Sequence, residues 1–170
     1  MNRYLRFAIM IGTSTAVMLV LMYLNTYEWS HVRWSETRFY MALVMGGAMA
    51  VVMLSFMLGM YTDRGKNAFI FVGGMVLGAG ALWLVRSQAT VDGTSYMKAM
   101  IPHHSIAILT SERAGIEDVR VRELANEIIR AQRREIKEME WLIDDIDRNG
   151  LVSSETEAAT RPVPEFDGEL

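Results

Sequence analysis

The sequence predicts an all-α protein, three transmembrane helices followed by an extramembrane αα-hairpin, and three observations carry that expectation. Three apolar runs, at 4–24, 39–61 and 68–85, each match the ~20 residues a helix needs to cross a bilayer. Beyond them, apolar residues recur at helical spacing in two segments separated by a short break. The charge also divides: the whole chain carries only −3, yet residues 86–170 hold 11 Lys/Arg and 17 Asp/Glu. The reading is therefore a membrane domain over 1–86, a helical hairpin over 87–150 and a disordered acidic tail over 151–170.

None of the apolar runs has an ionisable residue at its centre. The first is long and no A-x-A-like site follows it, which favours a retained anchor over a cleaved leader. Basic residues collect on the cytoplasmic side of short loops. Arg3 and Arg6 precede the first run, and Arg64 and Lys66 sit in the turn "TDRGKN" between the second and third. In the remaining loop Arg33 and Arg38 are balanced by Glu28 and Glu36, and Trp29 and Trp34 suit a membrane interface. The expectation is a multi-pass protein of a bacterial-type cytoplasmic (inner) membrane, with its C-terminal domain on the periplasmic or extracellular side.

Packing between the spans is expected at small residues, because lipid supplies no hydrophobic drive between helices. "GGMVLGAG" contains Gly74-x-x-x-Gly78, and the second span offers Gly46 and Gly47. The same span carries Met41, Met45, Met49, Met53, Met57 and Met60. A four-residue step drifts about 40° on a helix, so this ladder is a spiral and reads as apolar filling more than as a metal relay.

In the soluble half, Asp92 and Thr94 offer caps for a helix running to about Ala114, with Gly115 as its C′ residue. A second helix, capped by "IED", runs from about Val119 to Arg148 and ends at Asn149-Gly150. The tail has two prolines and acidic, polar composition. On the second helix, with Ile128 at 0°, Met139 falls near about +20°, Gln132 near about +40° and Glu135 near about −20°. Glu135 is thus expected within the buried face, where a carboxylate needs a partner.

The first helix holds the densest chemistry, "YMKAMIPHHSIAI". Met97, Ile101, His104 and Ile108 share one face, and Met100 has His103 and His104 as neighbours at i+3 and i+4. Adjacent histidines diverge by about 100°, so they cannot both ligate one ion from an undistorted helix. Pro102 can kink or begin the helix. Imidazole with thioether is the donor set of a soft ion, Cu(I) favoured and Ag(I) possible. Two readings stand side by side: a metal-binding hairpin, or a core in which these residues only pack.

"YMKAMIPHHSIAI" followed by "VRELANEIIRAQRREIKEMEWL" resembles the DUF305 family, over roughly Asp92 to Asp144. That resemblance implies a ferritin-like helical bundle, here a ferritin-like half-bundle, and copper or silver binding as in some periplasmic or secreted members. It makes Met100, His103, His104 and Met139 the leading metal ligands, with Met97, Gln132 and Glu135 as further ligands or supporting groups. Thr110 stands where family members commonly place a methionine, which removes one soft donor. A single hairpin cannot close a four-helix bundle, so a homo-oligomer formed through the hairpin is expected.

The function expected is a membrane-anchored protein binding copper or silver for buffering, tolerance or delivery. The alternative is a non-catalytic oligomerisation module with structural His and Met. No Ser-His-Asp pattern and no phosphate-binding glycine loop points to an enzyme. Without cysteine there is no disulfide and no thiolate site. The charge balance gives no reason to expect a nucleic-acid partner. His31 is read as an exposed loop residue.

Overall fold

The computed structural model describes residues 2–169 and is built of helices. It divides into two units, one holding the residues up to Leu24 with Glu36–Thr90, the other Asn25–Ser35 with the chain from Val91 onward.

The first unit contains α1 (Arg3–Leu21), α2 (Glu36–Met57) and α3 (Arg64–Ser87), all three long and apolar enough to cross a membrane. α3 begins four residues earlier than its apolar run, because Asp63 caps it by accepting the Lys66 N–H at 3.1 Å. The charged turn is thereby wound into the first turn of the helix. α2 lies between α1 and α3 and packs on both. The expected glycines make these contacts. A Cβ on Gly47 would come within 2.5 Å of the Gly74 carbonyl oxygen and 3.1 Å of the Gly78 nitrogen, and one on Gly46 within 2.5 Å of Thr15 Oγ1. At one end Phe7, Leu54 and Tyr61 form a cluster, against which Met53 and Met57 of the methionine spiral pack as apolar filling.

The second unit is a hairpin of α4 (Gly93–Arg113) and α5 (Val119–Asn149). Asp92 caps α4 through the Ser95 N–H at 2.7 Å, and Asp118 caps α5 through the Arg120 N–H at 2.9 Å. Pro102 lies inside α4, which runs through it. Gly150 ends α5 at φ 80°, a conformation glycine adopts at little cost. At Gly115 the expected left-handed turn does not form. Ala114 instead turns extended, and the Arg122 guanidinium donates to the carbonyls of Ser111 at 2.9 Å and Ala114 at 2.7 Å. A side chain from α5 thus satisfies orphan carbonyls that a glycine turn would otherwise have closed.

Met97, Ile101, Ile108, Ile129, Ile136 and Met139 form the core of this unit, with Tyr27 and Met100 packed against it. Two boundaries depart from the sequence reading. The stretch Asn25–Ser35, assigned to the membrane domain by the 1–86 boundary, belongs with the hairpin because Tyr27 reaches that core. The tail, expected to be disordered, carries a short helix α6 (Glu155–Thr160) capped by Ser154. Arg161 pairs with Asp145, and Lys137 Nζ lies 2.7 Å from Asp167 Oδ1, so charge pairing fixes a segment with little apolar surface of its own.

Candidate metal centre

The two faces that make the hairpin core also bring the singled-out side chains to it. Met97 and Met139 are buried members of the apolar cluster and Met100 packs against it. His104, one α-helical period from Ile101 and Ile108, turns toward α5, where its Nδ1 lies 3.1 Å from Glu135 Oε2. That proximity lacks hydrogen-bond geometry, and Nδ1 is a buried nitrogen without a hydrogen-bond partner among the described residues. A buried polar atom left open in this way calls for an explanation. Burial pushes the His104 imidazole below the usual histidine range, against the pull of the Glu135 carboxylate, with His103 adding to the depression. The ring is therefore held toward its neutral, ligating form.

Glu135 departs from expectation. Its side chain is 38% exposed, so it sits at the rim of the hairpin, facing His104, and does not lie within the core. Water meets part of the carboxylate and removes the penalty that full burial would impose. Gln132 is half-buried one turn away. His103 is exposed, and its ring centroid is 6.0 Å from that of His104 with the planes at 61°, as the divergence of adjacent helix positions requires.

No three His, Asp or Glu side chains converge on one point among the described residues. The thioethers of Met97 and Met139 lie in the hairpin core and that of Met100 against it. This set fits a soft cation in kind: a buried imidazole nitrogen that makes no hydrogen bond, thioethers in an apolar surround and one carboxylate to offset charge.

One arrangement escaped the sequence reading. Ser105, with no exposed surface, accepts the Tyr27 N–H at 2.7 Å and lies 2.9 Å from His31 Nδ1. His31 Nε2 in turn lies 3.9 Å from Glu28 Oε2, and the His31 side chain is only 12% exposed, so it is not the exposed loop residue expected. The residue types are those of a hydrolase triad, but a fully enclosed hydroxyl already bonded to a backbone amide acts here as a latch for the 25–35 segment. The available signal was Ser105 itself, a small polar residue on an apolar helix face, which must find a partner.

A family described as "Domain of unknown function (DUF305)" matches residues 93–165. An uncharacterized protein of Acanthamoeba polyphaga mimivirus is 31% identical over 147 residues, covering 85% of this chain and 95% of the relative. The chain belongs to the DUF305 family. The DUF305 match runs from the first residue of α4 past α6, so the tail helix lies within the family's domain. The viral relative's match extends well beyond the DUF305 region and therefore into the apolar half. No solved structure matches the chain.

Proposed function

We propose that this DUF305 protein is a membrane-anchored binder of a soft cation, Cu(I) foremost and Ag(I) next, for buffering, tolerance or delivery and without catalysis. The observation that supports it best is the buried Nδ1 of His104, which makes no hydrogen bond and lies 3.1 Å from Glu135 Oε2, on a hairpin whose core contains methionines. In this reading α1, α2 and α3 cross a bacterial-type cytoplasmic membrane, and the hairpin faces the periplasmic or extracellular side. The polar loop 25–35 between α1 and α2 then lies on the same side as the hairpin, in keeping with the basic residues at the opposite ends of the spans.

His104 would supply nitrogen, and Met100 and Met139 sulfur, with Met97 as a further thioether. Glu135 would offset the charge of the ion. His103, exposed on the outer side, is suited to receive the ion on its way in or to complete the site from a second hairpin. A bound soft ion would be kept from water by the apolar cluster and so protected from oxidation.

Copper(I) titration of the full-length protein in mild detergent, against a chromophoric chelator, tests the reading. His104→Ala and Met139→Leu are each expected to weaken binding by tenfold or more, and Glu135→Gln by about tenfold, on the scale of groups that support a metal ligand. Wild-type affinity in all three variants overturns the proposal and leaves a structural core.

A further inference from the structure

The first unit carries a second feature that the metal reading does not use. Between the first turns of α1 and the end of α2 lies a crevice of about 810 Å³, lined by Arg3, Arg6, Phe7, Met10, Met57 and Tyr61 among others. Its volume falls within the roughly 300–1,000 Å³ of small-molecule sites. The lining is of two kinds: two guanidinium groups, and the apolar side chains of α1 and α2.

The floor is held rigidly. Tyr61 meets Tyr4 and Phe7 edge-on, with ring centroids at 5.0 and 5.5 Å, and Phe7 and Tyr61 are buried. The Tyr4 hydroxyl accepts the Asp63 N–H at 3.0 Å and lies 3.0 Å from Asn67 Oδ1. These bonds pin the start of α1 to the turn between α2 and α3. Arg3 spends one donor on the Met60 carbonyl at 3.3 Å, which leaves most of its fork open, and both arginines are exposed. Among the described residues no carboxylate lines the crevice, and nearby Asp63 is paired with the Lys66 side chain at 3.0 Å.

The geometry points to a binding site for one anionic phospholipid, its phosphate on Arg3 and Arg6 and an acyl chain along Phe7, Met10 and Met57. Planar guanidinium forks recognise phosphate oxygens by paired, charge-assisted hydrogen bonds. The apolar wall separates this occupant from free phosphate, which has no use for it. The position suits a headgroup, because Arg3 and Arg6 stand at the end of a helix apolar enough to cross a membrane.

Native mass spectrometry of the full chain, released from detergent carrying equal phosphatidylglycerol and phosphatidylcholine, reads retained lipid directly. Wild type should retain phosphatidylglycerol preferentially. Arg3→Gln with Arg6→Gln should lower that retention about thirtyfold, taking each basic residue near a lipid surface as about a factor of five. Arg64→Gln with Arg86→Gln, basic residues outside the crevice, should change it little. Met10→Trp, which fills the crevice and keeps both arginines, should lower it as well. Equal loss in both charge pairs, equal retention of the two lipids, or thermal stabilisation by inorganic phosphate matching that by phosphatidylglycerol would overturn the site.

Discussion

The two units solve the same problem, holding helices together, with opposite materials. Between α2 and α3 the contact is backbone against backbone, with Gly47 so close to Gly74 that even a methyl group meets a carbonyl oxygen at 2.5 Å. Between α4 and α5 the contact is made by large side chains, Ile101, Ile108 and Ile136 chief among them. The difference is the one expected if the first unit lies in lipid, as proposed above, and the second in water. In water, burying isoleucine contributes about 25 cal/mol per Å² of apolar area, whereas among lipid tails that term vanishes and close fit is what remains.

Truncating one large buried side chain in each unit breaks the comparison most directly. Ile101 has no exposed surface, and Ile101→Ala is expected to cost about 3–4 kcal/mol through lost transfer energy and a cavity. Leu54 is as fully enclosed, but Leu54→Ala is expected to cost roughly half as much, since only the packing part applies. Denaturant or thermal unfolding of both variants in one detergent, followed separately for the two units, measures the difference. Equal losses would show that the first unit is packed as a water-soluble domain is.

Adding a methyl reverses the order. Gly47→Ala is expected to destabilise the first unit by about 2 kcal/mol, because the obstructing atoms are backbone and cannot rotate away. Gly73→Ala, one residue from Gly74, meets nothing within 4 Å and should be neutral or gain up to about 1 kcal/mol from better helix propensity. If the two glycines respond alike in the same unfolding measurement, close helix approach is not what holds α2 to α3.

The same contrast governs how much the sequence disclosed. Helices were legible wherever one period ran unbroken: three apolar runs, and an apolar stripe on α5 read from Val121 to Ile146 about Ile128, in which Ala125, Ile136 and Met139 are buried while Val121 and Leu124 are exposed and Ile129, outside that stripe, is buried. Gly46, Gly47, Gly74 and Gly78 announced the helix contacts, since small residues let apolar helices approach closely. In the hairpin, Met97, His104 and Met139 were placed on the facing sides of α4 and α5 by angle alone. What stayed hidden depends on long-range polar pairing, which has no period. Neither the Tyr27–Ser105–His31 latch nor the Arg122 cap of α4 leaves a pattern in sequence, since the partners lie 78, 74 and 8–11 positions apart. Glu135 was misplaced because a wheel fixes the direction of Cβ, whereas a flexible side chain decides where its carboxylate ends.

The tail sharpens the comparison by its chemistry, since charge holds it where apolar fit holds the helices. Asp145 is kept below the usual carboxylate range by the Asn149 hydrogen bond and then by Arg161, and Asp167 by Lys137. With folded values below the unfolded ones, the docked tail gains full support above the ordinary carboxylate value of ~3.9 and loses it as pH falls through the lowered folded values. The chain has no cysteine, so a spin label on Glu165→Cys reports tail mobility without background. Mobility is expected to stay low from pH 8 to 5 and to rise below about pH 4. Asp145→Asn with Asp167→Asn should raise it already at pH 7, with the fold of α4 and α5 retained. A rise centred between pH 6 and 7 would assign the tether to a histidine instead, and a flat profile to pH 2.5 would show that Val163 and Phe166, the apolar residues of the tail near Leu142, hold it without help from charge.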